Sequence, residues 1–472
     1  MSVTHSRRPL DPDAEAMRRI GYQMIDQVVD HLCSLSEQPV AKPGTGSELN
    51  SLVDEPLPES PTDLSNCVDF FFERVVPRKT RVNHPRFHAY VPCPSSFAGA
   101  IGDMLAAGTN PFVGSWLGGG TVSALEITVL RWIAEMLGYD PEAGGILTSG
   151  GSTANLIGLA TAREKFGRET LSRGTLYVSA EGHASMTKAA SVLGFPSDAI
   201  RMIETDDQFR MRTSVLTEQI AEDRAAGFVP FFVSANAGTT NTGAIDPLSE
   251  LADLCDRENL WFHVDGAYGG FAAIDAGCRE QLTGMERADS LTLDPHKWLY
   301  CPMGVGCILV RDTELLESAF SADGNYLKDI PADEVNFFDR GPELSRPARV
   351  LSVWTLIRST GRDALAEQIR EDIRLAHLAA GLLAEDERFE VQEPGLSIVT
   401  FRHIARSGES EAQRGARDDD LMNATLADGD LMLSTTFLHG KNTLRLVVMN
   451  HRITDADIIR SVKRIRELAA DA

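Results

Sequence analysis

Ser290-Leu291-Thr292-Leu293-Asp294-Pro295-His296-Lys297-Trp298-Leu299 decides how the rest of this chain is read. Leu291 and Leu293 alternate with small polar residues, the period of a strand. The strand ends in a turn that holds one lysine between a histidine and a tryptophan. Desolvating an ammonium is costly, so a lysine at such a place is either a surface residue or a working one. Partly desolvated, it has a lowered pKa, and its amine attacks a carbonyl carbon to form a Schiff base.

Working outward, strand-like runs recur at Gly145–Thr148, Leu176–Ser179, Val229–Ser234, Trp261–Val264 and Val305–Val310. Helical patterns lie between several of them, as at Ala154–Lys165 and Pro247–Arg257. This alternation predicts an α/β fold with a mainly parallel sheet covered by helices on both faces. Ligands of such sheets bind at the carboxyl ends of the strands.

The flanks differ in character. Asp11–Leu35 has apolar residues at helical spacing (Met17, Ile20, Met24, Val28, with Ile25, Val29 and Leu32), an amphipathic helix with one face to bury. A loop rich in Pro, Gly, Ser and acid follows. Beyond Trp354 a long helical region, Arg362–Leu383, leads to strands near Ser397–Arg402 and Thr443–Val448. The final helix starts at Thr454, with Asp457 placed for a capping box, and is predicted to bury Ile458, Ile459, Val462 and Ile465. The expected units are an N-terminal helical and dimerisation segment (1–95), a large α/β domain (96–355) and a small C-terminal α+β domain (356–472).

Composition narrows the function. With 68 acidic against 45 basic residues, the net charge is −23, which repels phosphate backbones and anionic lipid. Neither nucleic acid nor membrane is an expected partner. The start is polar, with no apolar core after Arg7 and Arg8, so no secretory signal is read. Seven scattered cysteines without a C-x-x-C pair fit reduced thiols of the cytoplasm, and the histidines show no metal-binding spacing, so no metal is expected.

Three further features sit at predicted strand ends. Thr148-Ser149-Gly150-Gly151-Ser152-Thr153-Ala154-Asn155 opens a helix with small residues, so backbone N–H groups and the helix N-terminus face a potential phosphate. It is neither a Walker loop nor a dinucleotide fingerprint. Asp265 closes the strand Trp261–Val264, and His183 stands just past another strand. A phosphate loop, a carboxylate for a ring nitrogen, a flat aromatic side chain and a Schiff-base lysine are together what pyridoxal 5′-phosphate requires.

On these residues, with Gly182–Ser185, Ala237–Thr240, His263–Tyr268 and Thr443–Val448, the chain resembles the fold-type-I group II decarboxylases, which include aromatic-L-amino-acid decarboxylase. The resemblance extends over nearly the whole chain. It implies that Lys297 carries the Schiff base, that Asp265 pairs with the pyridinium nitrogen and that His183 stacks on the ring. It further implies that Gly150, Gly151 and Ser152 bind phosphate with help from His296, that Ala267 packs on the other ring face and that Thr240 lies beside the ring. Asp294 stands near the phosphate, where many relatives have asparagine. Tyr326, in the polar run Ser321–Asp329, corresponds to a loop tyrosine that donates a proton into the neighbouring subunit's site of a homodimer. Relatives that form aldehydes often carry Phe there, or Asn in place of the stacking histidine; this chain keeps Tyr326 and His183.

By the same resemblance the substrate pocket draws on Val82, Tyr90, Val91, Pro92, Cys93, Phe112, Gly114, Trp298 and Met303. Val82, Val91 and Gly114 stand where animal aromatic decarboxylases have Trp, Phe and Phe. These departures bear on the substrate and leave the cofactor chemistry standing. The expected activity is decarboxylation of an L-amino acid, aromatic or bulky hydrophobic favoured, to its amine. Oxidative formation of an aldehyde, or a non-aromatic substrate, is the alternative.

Overall fold

The computed structural model describes residues 10–167, 170–321 and 334–471. Tyr326 lies outside them. Seven strands form the central sheet: β1 Gly144–Thr148, β2 Gly174–Ser179, β3 Ile200–Ile203, β4 Val229–Asn236, β5 Trp261–Asp265, β6 Ser290–Leu293 and β7 Gly306–Val310. Their order is β1-β7-β6-β5-β4-β2-β3. From β3 to β6 all pairs are parallel, whereas β7 runs antiparallel to both β6 and β1. The sheet is thus mainly parallel, with one reversed strand.

That reversal matters to the site. An antiparallel neighbour needs no crossover helix, so β6 returns as β7 through the short loop that carries Lys297. Because β7 reverses twice, between β6 and β1, the carboxyl ends of β1, β4, β5 and β6 lie on one side. Register pairs Asn236 with Asp265 and Asp265 with Thr292, so these strand ends finish level.

The strands are apolar runs rather than alternating ones because both faces are covered. Trp261, Phe231, Phe232, Val264, Leu291 and Leu293 are almost fully buried, each worth roughly 1.5–3 kcal/mol of transfer free energy. The helix Gly151–Phe166 lies on this sheet, and Gly158 lets it come close: a Cβ there would stand 2.9 Å from Nδ1 of His263.

A second core belongs to the C-terminal region. There β8 Phe389–Val391, β9 Ile398–His403, β10 Ser434–Leu438 and β11 Lys441–Val447 form an antiparallel sheet in the order β10-β11-β9-β8. Leu375, Leu383, Phe401, Leu444, Ile458 and Ile465 pack beside it. The final helix, Asp455–Asp471, starts at the expected capping box, in which Thr454 Oγ1 and the Asp457 backbone and carboxylate exchange hydrogen bonds. Ile459 is not buried as expected; it is 52% exposed, because one residue on from Ile458 the helix has turned by about 100°.

The first helix, Ala14–Cys33, is capped by Asp13. Of its apolar face only Ile20 is buried, while Met17 and Val29 stay exposed. Met24, Ile25, Val28 and Leu32 are half-buried, so the face is only partly covered by the described residues. Residues after it are stitched to the C-terminal region: Arg86 reaches Asp430 and Asp457, and His88 sits between the Val447 carbonyl and Ser461 Oγ.

One buried ion pair fixes the end of β1. Arg346 and Glu126 are fully enclosed and 2.7 Å apart. Arg346 also donates to the carbonyls of Val113 and Leu147, and Glu126 accepts from the Leu147 N–H. Glu126→Ala leaves a guanidinium without its carboxylate, and chemical unfolding should register a loss of roughly 3–5 kcal/mol. Replacing both residues by apolar ones of similar volume should recover much of that loss.

Candidate active site

Each strand end contributes one polar group. After β1 the chain turns at Gly150, whose φ of +149° suits glycine, and the helix begins at Gly151. Gly306 on β7 faces this turn, and a Cβ there would fall 2.5 Å from Gly150 Cα, so the loop and β7 meet backbone to backbone. A Cβ on Gly151 would stand 3.0 Å from the Ala267 methyl and 3.1 Å from the Asp294 carboxylate. The result is a cradle of N–H groups open to a cavity of about 340 Å³.

Gly150, Gly151 and Ser152 line that cavity together with His183, Thr240, Asp265, Ala267, Asp294, His296, Lys297 and Met303. Those are the residues expected to hold cofactor, with one of the expected pocket residues. Met303 stands at the mouth, 69% exposed.

Asp265 accepts from Asn155 Nδ2 at one oxygen (2.8 Å) and from the Ala267 N–H at the other (3.1 Å). His183 caps the helix Ala184–Val192, and its Nδ1 faces both the N–H (3.2 Å) and the hydroxyl (2.8 Å) of Ser185. His296 Nδ1 donates to the Val305 carbonyl at 2.6 Å, which turns Nε2 toward Asp294, 3.6 Å away.

Lys297 departs from expectation. Its side chain is 17% exposed, and Nζ lies 2.9 Å from the Asp294 carboxylate. Burial pulls the ammonium's pKa down, but Asp294, with Asp265 behind it, outweighs burial and the net displacement is upward. The lowered pKa expected of a desolvated lysine is reversed here by an acid three residues earlier. Asp294 Oδ1 remains buried and unpartnered, a free acceptor at the edge of the cradle.

The remaining pocket residues lie elsewhere. Trp298 is fully buried behind the cavity wall, stacked on Tyr268 at 4.9 Å and donating to Asp372 at 3.0 Å. An indole N–H needs a buried acceptor, and Asp372 supplies it, so Trp298 supports the wall rather than lining it. Val82 packs with Val40, Phe87 and Ala89, and Val91 packs against the large core. Tyr90 is exposed with φ +56°, Pro92 is buried, and Phe112 folds over Gly114 at the surface. Burial pushes the Cys93 thiol up to about 11 against the pull of the Lys297 charge. None of these eight residues lines the cavity within this chain.

The sequence reading gave no role to Asn155, Ser185, Tyr268 or Asn236, all of which line the cavity. Asn155 had a signal: four residues after Gly151, it shares a helix face with the cradle. Arg445 had none. Its guanidinium joins the carbonyls of Thr240, Asn241 and Tyr90 to Ser434 Oγ, and burial lowers its pKa to about 10.

Asp294→Asn should release Lys297 from its ion pair. The free protein can be labelled with formaldehyde and cyanoborohydride at pH 8 and the lysines mapped by mass spectrometry. Lys297 should react faster in the variant, since each unit of pKa lost raises the free-amine fraction roughly tenfold.

The cavity fits pyridoxal phosphate on its own geometry: a glycine cradle at a helix start, a lysine within it, and a carboxylate and an imidazole on facing strand ends. Comparison with known proteins agrees. Residues 46–404 match the model of the pyridoxal-dependent decarboxylase conserved domain. An aromatic-L-amino-acid decarboxylase of Bacillus atrophaeus is 39% identical over 98% of this chain and 97% of its own length. A phenylacetaldehyde synthase of Arabidopsis thaliana is 31% identical over 97% of this chain and 96% of its own. The crystal structure of Oryza sativa TDC with PLP and tryptamine superposes with a TM-score of 0.94 at 27% identity, covering 99% of each chain. The chain belongs to the pyridoxal-dependent decarboxylases and is a carboxy-lyase that acts on an amino acid with pyridoxal phosphate as cofactor.

Proposed function

We propose that this enzyme converts an aromatic or bulky hydrophobic L-amino acid to its amine in a cytoplasmic homodimer with shared active sites. The observation that carries the reading is the convergence of Lys297, Asp265, His183 and the Gly150–Ser152 cradle on one cavity. When bound, pyridoxal phosphate supplies an electron sink that weakens the bond from Cα to the carboxylate.

The residues divide the work. Lys297 would hold the cofactor through its Nζ amine, which is freed again when the substrate's amino group takes its place. Asp265 keeps a proton on the ring nitrogen and so sustains the sink. Gly150, Gly151 and Ser152 take the phosphate on N–H groups and a hydroxyl, with His296 and Asp294 at its edge. His183 and Ala267 would pack on the two ring faces, and Thr240 would stand beside the ring. Tyr326 donates the proton that Cα needs after carbon dioxide leaves. Retention of Tyr326 and His183 favours amine over aldehyde.

A second copy of this chain supports the pocket. Phe97, Met104 and Leu105 stay exposed on the helix Phe97–Thr109, as do Phe112 and Leu117 just beyond it. These residues, with Met303 at the cavity mouth and the unburied face of the first helix, form apolar surface that a partner would cover. On this reading Phe112 and Gly114 belong to the partner-facing side, with Val82, Tyr90, Val91, Pro92 and Cys93 along the approach. The same reading keeps 1–95, 96–355 and 356–472 as units, and its cytoplasmic setting is supported by the seven free cysteines. Names of relatives that act on aromatic amino acids support the substrate class.

Screening the twenty amino acids for released carbon dioxide tests the substrate; highest turnover on a small or acidic side chain would reject the aromatic or hydrophobic choice. Lys297→Ala should abolish turnover and the visible absorption of bound cofactor.

Tyr326→Phe should retain part of the carbon dioxide release while the product shifts from amine toward aldehyde, ammonia and peroxide, read by chromatography and a peroxidase assay. Mixing Tyr326→Phe with Lys297→Ala subunits should restore amine formation in heterodimers if the sites are shared. Heterodimers no more active than their parents would reject sharing.

A further inference from the structure

Behind the cavity wall runs a chain of hydrogen bonds that none of the roles above uses. Trp261 Nε1 lies 2.8 Å from Ser290 Oγ, which is 2.7 Å from His263 Nδ1. His263 Nε2 lies 3.0 Å from Asn155 Oδ1. Asn155 Nδ2 then reaches both Asp265 Oδ2 and Ser185 Oγ at 2.8 Å, and Ser185 Oγ reaches His183 Nδ1 at 2.8 Å. Trp261, Ser290, His263 and Asn155 are at most 1% exposed, so no solvent competes for these groups.

The two ends fix the direction of every bond between them. An indole N–H only donates, and a carboxylate only accepts. Ser290 accepts from Trp261, and because the Asn155 carbonyl must receive its proton from His263 Nε2, Nδ1 of the neutral ring takes the Ser290 hydrogen. That leaves the proton of His263 on Nε2, donating to the Asn155 carbonyl. The Asn155 amide must then point its NH₂ at Asp265 and Ser185. His183 Nδ1 already accepts from the Ser185 N–H, so the Ser185 hydroxyl, which accepts from Asn155, turns its hydrogen to the same nitrogen. The imidazole of His183 consequently keeps its proton on Nε2, away from the helix it caps.

We propose that His263, behind the wall, and Asn155, on the cavity lining, are positioning residues that hold Asp265 as an acceptor and reinforce the Nε2–H tautomer of His183 through Ser185. This rests on the roles given to Asp265 and His183 above. The relay needs His263 neutral, since a second ring proton would point at Ser290 and reverse the chain. Burial holds His263 at about 4, with Asp265 pulling weakly the other way. Phe232 stacks on its ring at 5.5 Å, and Gly158 has no Cβ to displace it. The other ionisable groups around the cavity are Lys297, Asp294, His296 and Tyr268, none of which is bonded to the relay.

The test compares three variants of the holoenzyme by cofactor affinity, by the pH titration of its visible absorption and by kcat against KM. His263→Phe keeps a flat ring but breaks the relay; cofactor should bind roughly tenfold more weakly and kcat should fall more than KM rises. His263→Gln, which has both a donor and an acceptor, should restore most of both. Asn155→Asp sets a second carboxylate against Asp265, so the absorption titration should move upward by about one unit. A His263→Phe enzyme with wild-type affinity and kcat, or an Asn155→Asp enzyme with an unmoved titration, would overturn the proposal. A Gln variant no better than Phe would reduce the relay to packing and overturn it too. Failure of the functional reading would look different: Lys297→Ala would keep the visible absorption, whatever the relay variants did.

Discussion

An ammonium brought under a closed loop is the constraint on which this molecule turns. Lys297 is held at a strand end where water hardly reaches, and only carboxylates can make that tolerable. Asp294 at 2.9 Å answers it directly, and the Asp265 charge adds to it. The reversed strand β7 follows from the same need, because a short hairpin connection carries the lysine back across the strand ends instead of out to solvent. Gly150 then takes the turn's φ of +149°, and Gly151 and Gly306 let two backbones and a carboxylate share a space in which side chains would collide.

Around this centre, three separate devices fix backbone and side chains to one another. The Glu126–Arg346 pair pins the end of β1, and with it the start of the cradle. Arg445 ties the Thr240 loop and the Tyr90 segment to the C-terminal sheet through carbonyls alone. Asp372 receives Trp298 and Tyr300 on one oxygen and so holds the lysine loop against the helix Arg362–Ala384. Each is a buried polar contact built on several directed hydrogen bonds, the arrangement that specifies geometry rather than merely adding stability. A site assembled from several chain segments needs such ties, since apolar packing alone does not set the aim of a carboxylate.

Much of the fold was legible because the sheet is covered on both faces. Its strands read as short apolar runs ending in glycine or a polar residue, and six of the seven stood out. Ile200–Ile203 did not, being an edge strand with exposed Met202 and little apolar signature. In the C-terminal region Phe389–Val391 and Ser434–Leu438 were missed for the same reason, one being short and the other half-exposed. The reversal of β7 was also invisible, because local sequence does not encode the direction of a neighbour.

For the site, the sequence by itself determined the cast: Lys297 after an apolar strand, Asp265 closing another, His183 beyond a third, and a glycine cradle before a helix. Each is a local pattern of strand end and turn, and such patterns survive in one dimension. Only the tertiary structure decided what these residues do to each other. The rise in the pKa of Lys297, the retreat of Trp298 behind Tyr268 and the relay from Trp261 to His183 all depend on partners brought together from distant segments. Charge, burial and hydrogen-bond direction are properties of those meetings, and no single stretch of sequence contains them.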